Sequence, residues 1–411
     1  MGIRADLAVV GAGVVGLGVA LAAHRRGLRV VVIDRDASPQ GASVRNFGHL
    51  CLTAQSGLAR RLAITARPIW LELARDAGIP VAESGTLVAA RADDEFAVLE
   101  QFAAARADER EHERAGGLAS LGDGAEVRLL TADEAAERMP VPASSLVGGA
   151  FLPHDLQTDP RIAAPLLRRH LESLGVEFRL RTLVSAVAPG RVETSRGPIE
   201  ADAVVVATNH DLDQLFPGVA ERADVVRCAL DMLRIRAELP TPLAAPLFTA
   251  WSLVRYAAWA DLPATGALRE RLHAEHPALA ALDPNLMFTP QADGTLLAGD
   301  THMRGASVSP FQAEAAFDAM LDATAELFGA ARPTVVERWQ GVYASGPDEF
   351  LVEETAPGVH LAAVTTGIGM TTGLGLGDHL VAAIADGTTT SGETSVFAPL
   401  PSASRPKGEP A

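Results

Sequence analysis

The sequence predicts an α/β fold built around a parallel sheet, and its N-terminal segment carries most of that prediction. Residues 7–10 form a short apolar run, which is typical of a strand buried on both faces. A helix-length segment at residues 14–26 follows and ends at Gly27, and residues 28–33 form a second apolar run. This order of strand, helix and strand predicts a βαβ unit with two parallel strands.

Three glycines at the first turn indicate what this unit binds. Gly11, Gly13 and Gly16 have the spacing GxGxxG, and Asp34 ends the second strand. Gly11 allows a tight turn, Gly13 lets a pyrophosphate approach the backbone, and Gly16 lets the helix pack closely on the strand. The helix N-terminus favours an anion, and Asp34 would accept hydrogen bonds from a ribose. The pattern predicts a Rossmann-type dinucleotide-binding domain rather than a βαβ unit without a ligand.

Composition and charge bound the remaining possibilities. A chain of 411 residues is long for one core, so two domains are expected. The formal net charge of −16 argues against nucleic acid or an anionic membrane as a partner, and an anionic substrate would need a locally basic pocket. Cys51 and Cys228 indicate neither a disulfide framework nor a metal site, and a cytoplasmic location is the simplest setting. The uncharged stretch at residues 7–23 belongs to the βαβ unit, so no membrane span is predicted.

Periodicity and capping residues predict further helices and strands. Pro68 marks a kink or restart in one helix, and either Thr158 or Asp159 caps the helix that runs to Gly175. The helices are expected at residues 58–77, 93–114, 158–175 and 310–329, after a cap at Thr131, and after the glycine-rich segment that begins at Thr365. The strands are expected at residues 84–90, 176–180 and 359–364, in a small β-meander at 184–206, and in amphipathic strands beginning at Met232, Leu253 and Leu286. The tail from Thr388 is expected to fray.

Several phrases of the sequence resemble one protein family over nearly the whole chain. The N-terminal GxGxxG unit, the strand that ends in VVVAT at Thr208, and the stretch GVYASGPDEFLVEE are similar to the FAD-dependent D-amino-acid oxidase, glycine oxidase and sarcosine oxidase family. Further phrases resemble the bacterial subgroup that is associated with aminophosphonate catabolism. These phrases are Gly41-ASVRNFG, Ile69-WLELARDAGI, Leu253-VRY, Gly299-DTH and Tyr343-ASGPDEFLVEE.

The resemblance implies a domain organisation. A discontinuous FAD-binding domain would comprise residues 1–80, 141–214 and 336–411. A second, α+β domain would comprise residues 81–140 and 215–335. Its antiparallel sheet would cover the flavin and shape the substrate pocket.

The resemblance also implies the cofactor, FAD, and its contacts. The N-terminal unit would hold the ADP half, the loop after it would run past the ribityl chain and the flavin ring, and Val184 would contact the adenine through its backbone. Ala207 and Thr208 would close over the pyrophosphate, and N–H groups of residues 367–372 would lie near flavin N1 and C2=O. The cofactor-binding residues so implied are Gly11, Gly13, Val14, Val15, Gly16, Asp34, Arg35, Ser43, Arg45, Asn46, Phe47, Gly48, His49, Val184, Ala207, Thr208, Gly367, Gly369, Met370, Thr371 and Thr372.

FAD is expected to bind noncovalently. Some amine dehydrogenases of the family attach flavin through a histidine in the loop that contains His49, but here the position and the surrounding motif differ. The sarcosine-oxidase type of attachment uses a cysteine near the last domain crossing, where this chain has Tyr343 and no cysteine.

The resemblance implies oxidation of a small amine. A hydride would leave the carbon next to a neutral amine for flavin N5, and the imine product would hydrolyse to a carbonyl compound. Oxygen or another acceptor would reoxidise the flavin. No metal or side-chain nucleophile is predicted, and no residue is assigned a catalytic role, since the flavin carries the chemistry. The expected substrate is an aminophosphonate, such as 2-aminoethylphosphonate or an N-methyl or hydroxy derivative.

A phosphonate carries close to two negative charges, so cationic and polar donors are expected around it. The candidate substrate-binding residues are Arg45, His49, Arg255, Tyr256, His302, Arg304 and Tyr343. All of them except His49 also have a purely structural explanation, as a solvated or loop arginine, a turn histidine, or a packing tyrosine. Because alternate residues of a strand point to opposite faces, a regular strand would direct only one of Arg255 and Tyr256 into the pocket unless a bulge intervened.

Two other functions stay open. The chain could be an oxidase or dehydrogenase of glycine, sarcosine or D-amino acids, in which Arg255 alone would anchor the substrate carboxylate. It could instead be a noncatalytic flavin-binding subunit, which would keep the glycine framework without substrate-dependent bleaching of the flavin.

Overall fold

The structure of the chain, a computed structural model, describes residues 3–115, 121 and 124–387. Within these ranges the strands form one sixteen-stranded mixed sheet and a separate three-stranded sheet. The strands are β1 (Ile3–Val10), β2 (Val30–Ile33), β3 (His49–Leu50), β4 (Val81–Ala82), β5 (Thr86–Ala90), β6 (Arg128–Thr131), β7 (Gly148–Leu152), β8 (Leu156–Thr158), β9 (Glu177–Arg179), β10 (Val184–Ala188), β11 (Arg191–Thr194), β12 (Ile199–Val206), β13 (Val226–Arg236), β14 (Leu247–Phe248), β15 (Met287–Pro290), β16 (Leu296–Gly299), β17 (Met303–Gly305), β18 (Thr334–Ala356) and β19 (Val359–Thr366). The helices are α1 (Val14–Arg25), α2 (Gly57–Asp76), α3 (Asp93–Ala115), α4 (Ala132–Arg138), α5 (Pro160–Ser173), α6 (Pro217–Arg222), α7 (Ala250–Leu253), α8 (Ala257–Ala260), α9 (Thr265–Glu275), α10 (Pro277–Ala280), α11 (Glu314–Phe328) and α12 (Gly369–Ala385). None of these helices is long and apolar enough to cross a membrane.

Five parallel strands contain the predicted βαβ unit, in the order β19-β12-β1-β2-β9. The pairing of β1 with β2, connected by α1, confirms the predicted order of strand, helix and strand. On one face of this sheet, Val9 and Val32 pack in the same core as Leu17 of α1. On the other face, Val31 packs with Val192 of β11. The strands are apolar because both of their faces are covered.

Strand β18 joins this parallel region to a largely antiparallel one. It pairs antiparallel with β13 on one side and antiparallel with β19 on the other. From β13 the sheet continues through β16, β15, β14, β5, β7 and β6. This arrangement confirms the predicted fold class, an α/β fold with a Rossmann-type unit and a second region built on an antiparallel sheet.

Helices α1, α2 and α12 pack closely through glycines of α12. A Cβ added at Gly375 would lie 2.1 Å from the carbonyl oxygen of Leu62 in α2. A Cβ added at Gly377 would lie 2.4 Å from the carbonyl carbon of Gly18 in α1. No side chain fits at such distances unless the helices move apart. The last glycines of the glycine-rich segment therefore serve helix packing.

Other predicted elements are confirmed with small changes at their ends. Helix α2 continues through Pro68 without interruption, and α11 begins later than predicted. Thr131 caps α4 in a capping box, and Asp159 rather than Thr158 caps α5. Strands β10, β11 and β12 form the predicted meander. The tail from Thr388, which is predicted to fray, lies outside the described residues.

The prediction of an amphipathic strand that begins at Leu253 is wrong. The segment forms the short helices α7 and α8, joined by a turn in which Arg255 and Tyr256 donate their backbone N–H groups to Ser252 O. Leu253 and Trp259 are fully buried on either side of the turn. A short alternating pattern does not distinguish a strand from a helical turn, and burial of both large side chains favours the turn. The argument that Arg255 and Tyr256 point to opposite faces of a strand therefore does not apply.

We expect Gly377→Ala to lower the free energy of unfolding by about 1–3 kcal/mol, because the added methyl group would force α1 and α12 apart. Gly266→Ala in α9 is a matched control, since no atom of the described part of the chain lies within 4 Å of its Cβ position. The control should leave stability unchanged or raise it by about 0.5–1 kcal/mol. Denaturant unfolding followed by circular dichroism measures both variants, and equal stabilities would contradict the proposed helix contact.

Candidate functional site

A groove of about 380 Å³ opens at the C-terminal ends of β1, β2 and β12, an edge of parallel sheets that commonly binds ligands. It extends from Asp34, after β2, to Tyr343 in β18. Most predicted cofactor-binding residues line it: Gly11, Gly13, Val14, Val15, Asp34, Arg35, Ser43, Arg45, Asn46, Val184, Ala207, Thr208, Gly367, Gly369 and Met370. The other predicted residues, Gly16, Phe47, Gly48, His49, Thr371 and Thr372, are not part of its lining.

The glycine turn after β1 brings its own backbone close to the backbone of α1 and to the residues that follow β12. Gly11 has a φ of +107°, and a Cβ at this position would lie 2.5 Å from Ala207 O. A Cβ at Gly16 would lie 2.0 Å from Gly11 O, so Gly16 lets α1 pack on the turn, as its spacing predicts. Gly13 is the N-cap of α1, and the Val14 N–H in the first turn donates to Ser43 Oγ at 2.9 Å. The turn thus leaves backbone, rather than side chains, facing the groove at the helix N-terminus.

Asp34 holds the other side of this turn. Its Oδ2 accepts a hydrogen bond from Ala12 N at 2.6 Å, and its Oδ1 accepts one from Asp36 N at 2.8 Å. Each carboxylate oxygen has a second lone pair, so the side chain is oriented and can still accept hydrogen bonds from a ligand hydroxyl.

Sequence reasoning misses Asn209 and Asp211, which also line the groove. Asn209 Oδ1 accepts a hydrogen bond from Ala344 N at 2.9 Å, and this contact ties the end of β12 to β18. Asp211 pairs with Arg35 at 2.7 Å. The signal for both residues is their position within three residues after Thr208, the last predicted cofactor-binding residue at the end of that strand.

The first turn of α12 faces the far end of the groove. Thr371 and Thr372 are buried, and both donate their backbone N–H groups to Ile368 O. The amides of Gly369 and Met370, which lie earlier in the turn, have no acceptor within the helix. Within α12, the backbone donors that the groove can offer a ligand are therefore those of Gly369 and Met370 and not those of Thr371 and Thr372.

His49 lies in β3, away from the groove, in a buried hydrogen-bonded network. Its Nε2 is 2.7 Å from Thr86 Oγ1, which donates to Asp155 Oδ2 at 2.8 Å. Burial lowers the pKa of His49 to about 3 and raises that of Asp155 to about 6. The structure therefore does not bring His49 to the groove with the other predicted residues.

Arg45 lines the groove and binds the backbone of β18. Its Nη1 donates to Gln340 O at 3.1 Å, and its own carbonyl accepts a hydrogen bond from Trp339 Nε1 at 3.2 Å. These contacts hold the loop that follows β2 against the antiparallel region.

Three predicted substrate-binding residues, Arg255, His302 and Arg304, converge on Asp283. Asp283 Oδ1 accepts a hydrogen bond from Arg255 Nη1 at 3.0 Å, and Oδ2 accepts one from Arg304 Nη1 at 2.6 Å. The carbonyl oxygen of Asp283 lies 2.8 Å from His302 Nδ1. We call these four residues the Asp283 cluster. Two guanidinium groups on one carboxylate leave a local excess of positive charge, which favours an anion.

His302 is a buried, neutral imidazole whose tautomer is set by Asp283. A carbonyl oxygen can only accept, so the contact with Asp283 O places the ring proton of His302 on Nδ1. Nε2 then offers a lone pair and lies 3.8 Å from Asp300 Oδ2. Burial lowers the pKa of His302 well below its ordinary value, and burial raises the pKa of Asp300 to about 7.

Tyr343 links the Asp283 cluster to the groove. Cys228 of β13 lies directly opposite Arg304 of β17 and opposite Tyr343 of β18. Directly opposed residues of antiparallel strands project to the same face, so Arg304 and Tyr343 share one face of the sheet. Gly367 has a φ of +79°, and a Cβ there would lie 3.2 Å from Tyr343 Cζ. The ring of Tyr343 therefore lies between the cluster and the start of α12.

Tyr256 does not line the groove but is linked to α12 through Cys51. Burial raises the pKa of Tyr256, and its hydroxyl is within reach of Asn285 and Cys51. Cys51 Sγ lies 3.8 Å from Thr371 Oγ1 in α12. The ring of Tyr256 packs on Phe248, with ring centres 5.0 Å apart. Tyr256 thus connects α12 to the segment that carries Arg255.

The sequence analysis does not identify Asp283 or Asp300 as site residues, because an anionic substrate predicts cationic and neutral donors around it rather than carboxylates. Asp283 precedes Pro284 in a turn signal, and Asp300 belongs to the phrase Gly299-DTH. Asp283 therefore lies in a predicted turn, and Asp300 lies in one of the phrases that carry the family resemblance. Their roles depend on contacts between residues that are far apart in the chain, which neither spacing nor periodicity reveals.

The chain matches the family described as FAD dependent oxidoreductase (DAO) over residues 6–383. No curated protein matches it. Its fold is similar to that of glycine oxidase from Geobacillus kaustophilus, with a TM-score of 0.69 and 21% identity over 95% of this chain and 97% of that one. It is also similar to L-proline dehydrogenase from P. horikoshii, with a TM-score of 0.74 and 16% identity over 94% of this chain and 95% of that one. A third similar fold is that of iminodiacetate oxidase from Chelativorans sp. BNC1, with a TM-score of 0.67 and 20% identity over 94% of this chain and 97% of that one. At these identities the likeness concerns the fold alone.

The residues of the groove fit FAD. The glycine turn leaves room for a pyrophosphate at the N-terminus of α1, and Asp34 offers acceptors for a ribose. Thr208 Oγ1 is buried beside the turn without a hydrogen-bond partner among the described residues. The family match confirms FAD as the predicted cofactor and an FAD-dependent oxidoreductase as the predicted class of enzyme.

We expect Asp34→Asn to raise the Kd for FAD by about 10- to 100-fold, because a hydrogen bond to a charged group contributes about 1.5–3 kcal/mol. Fluorescence titration of the apoprotein with FAD measures this affinity. Asp202→Asn is the matched control, since this carboxylate on β12 is exposed, lies 3.6 Å from Arg4 and is not part of the groove lining. The apoprotein is obtained by acid precipitation, which releases a noncovalent flavin. Flavin that stays with the pellet would contradict noncovalent binding, and unchanged affinity in Asp34→Asn would contradict the role of Asp34.

Proposed function

Because this chain belongs to the family of FAD-dependent oxidoreductases, we propose that it oxidises a small amine that carries an anionic group. The Asp283 cluster is the observation that supports this proposal. In a chain with a formal net charge of −16, this cluster forms a local excess of positive charge. Its member Arg304 shares a sheet face with Tyr343, which lines the groove. The anionic end of a substrate would bind the cluster while its amine lies nearer the flavin.

The proposed substrate is an aminophosphonate, such as 2-aminoethylphosphonate or an N-methyl or hydroxy derivative. Among the contacts of the described residues, Arg255 and Arg304 each donate a single side-chain hydrogen bond, to Asp283, so several guanidinium N–H groups remain. A phosphonate offers three oxygens and close to two negative charges, which two guanidinium groups can bind together.

The net charge of the Asp283 cluster supports a second candidate substrate, an amine that carries a carboxylate. Asp283 offsets one of the two arginine charges, and the single positive charge that remains also suits a carboxylate. The substrate would then be glycine, sarcosine or a D-amino acid. Glycine oxidase and iminodiacetate oxidase, two proteins of similar fold, are named for amines of this kind.

The chain's own residues would bind and orient this substrate. FAD, when bound, supplies the acceptor for the two electrons that leave the amine. Burial raises the pKa values of Tyr256 and Tyr343, so both hydroxyls stay protonated and can form hydrogen bonds with a substrate. His302 stays neutral, and its Nε2 can accept a proton or a hydrogen bond.

Anaerobic mixing of the holoenzyme with amines tests the function, because a substrate bleaches the flavin absorbance. We expect 2-aminoethylphosphonate or one of its derivatives to bleach it. Bleaching by glycine, sarcosine or D-alanine without bleaching by any aminophosphonate would select the second candidate. No bleaching by any amine would indicate a noncatalytic flavin-binding subunit.

We expect Arg255→Met to raise the Kd for the substrate identified in that screen by about 10- to 100-fold, because it removes a charge-assisted contact worth about 1.5–3 kcal/mol. The dependence of the rate of flavin reduction on substrate concentration measures this Kd. Arg332→Met is the matched control, since Arg332 is exposed and pairs with Asp318 outside the cluster. Equal affinity in the two variants would contradict the assignment of the anion site.

A further inference from the structure

Asp300 places a buried carboxylate beside the Asp283 cluster. It is 4% exposed, and its Oδ1 has no hydrogen-bond partner among the described residues. Its Oδ2 lies 3.8 Å from His302 Nε2. Two backbone hydrogen bonds with Asn285, at 2.8 and 2.9 Å, hold the residue in place. An unpartnered carboxylate in such a position is costly when ionised, so it needs an explanation.

The charged and titratable groups that face Asp300 come from several elements. They are Arg255, Asp283, Asp231, His302, Tyr256, Tyr343 and Cys228. Most of them keep one protonation state near neutral pH. Burial lowers the pKa of His302 and raises the pKa values of the two tyrosines and Cys228, so these four groups stay neutral. Burial also raises the pKa values of Asp300 and Asp231, the two other acids beside Asp283.

The charge of the site therefore depends on Asp300. Burial raises its pKa to about 7, while Arg255 acts in the opposite direction. With Asp300 protonated, Arg255 and Arg304 against Asp283 leave a single positive charge. With Asp300 ionised, these four side chains sum to zero, and any negative charge on Asp231 lowers the sum further, so an anion is attracted less.

We propose that Asp300 is a specificity-determining residue of the anion site, and that the site binds an anion well only while Asp300 carries a proton. Above the pH at which Asp300 ionises, binding of an anion then takes up a proton from solvent, and the ionised carboxylate becomes a neutral carboxylic acid. This inference rests on the proposed function, because it takes the Asp283 cluster as the site for the anionic group of the substrate.

The sign of the coupling follows from the charges. A bound anion offsets the positive potential of Arg255 and adds a negative charge near Asp300, so it raises the pKa of Asp300 further. Anion affinity is then constant at pH values well below the free pKa of about 7 and falls above it. The fall reaches at most about tenfold per pH unit while one proton is taken up.

Isothermal titration calorimetry of the holoenzyme with acetate and with sulfate tests this coupling. Neither probe changes its own charge between about pH 6 and pH 9, so any pH dependence belongs to the protein. Measurements in two buffers that differ in ionisation enthalpy give the number of protons taken up. We expect little uptake at about pH 6, uptake approaching one proton per anion at about pH 8, and a stronger effect for the doubly charged sulfate. No binding of either anion at about pH 6, or affinity that does not change with pH, would overturn the proposal.

Two substitutions show which carboxylate takes up the proton when an anion binds. Asp300→Asn should bind acetate with an affinity that is independent of pH and without proton uptake. Asp231→Asn should keep the uptake, because Asp231 only influences Asp300 through its charge. Loss of uptake in Asp231→Asn, with uptake kept in Asp300→Asn, would overturn the assignment. Asp318→Asn, on the outer side of α11, is the surface control.

These titrations measure anion binding and not amine oxidation, so the two proposals can fail separately. Proton-coupled binding of acetate and sulfate without any amine substrate would support the anion site and leave the proposed substrate wrong. Amine oxidation without coupled binding would support the proposed function and overturn the role of Asp300.

Discussion

Strand β18 is the element on which the geometry of the site depends. It is a single strand of 23 residues that pairs with β13 in the antiparallel region and with β19, an outer strand of the five parallel strands. Neither region can slide along β18 without breaking a ladder of backbone hydrogen bonds. Tyr343 lies on β18, and Gly367 directly follows β19, so the same ladders hold the ring of Tyr343 beside the start of α12. The far end of the groove is thus positioned by the sheet rather than by loops.

The sheet also explains how a strongly acidic chain can contain a site for an anion. Pairing of β13 with β17 and β18 places Arg304 on the same face as Tyr343, and the loop before β15 supplies Asp283 as the shared partner of the two arginines. His302 and Asp300 are withdrawn from water beside them. Charges in such surroundings interact strongly, so one proton on one carboxylate changes what the site attracts.

The elements that the sequence predicts well are those with local signals. The glycine spacing and the acid after the second strand predict the βαβ unit, and capping residues predict the starts of α4 and α5. The segment after Leu253 is wrongly predicted as a strand, because its alternation is too short to separate a strand from a helical turn. The length of β18 has no local signal at all, since it arises from pairing with two different partners.

The sequence by itself determined the fold class, because the turn that approaches a pyrophosphate is built from neighbouring residues. Its resemblance to one family over nearly the whole chain implied FAD as the cofactor. Only the tertiary structure decided the arrangement at the other end of the groove. It brought Arg255 and Arg304 onto Asp283 and placed His49 in a buried network. It also left one oxygen of Asp300 without a hydrogen-bond partner among the residues that the structure describes. These side-chain contacts depend on which distant segments of the chain pack together, and the pKa shifts depend on how far that packing excludes water. A local sequence pattern contains neither kind of information.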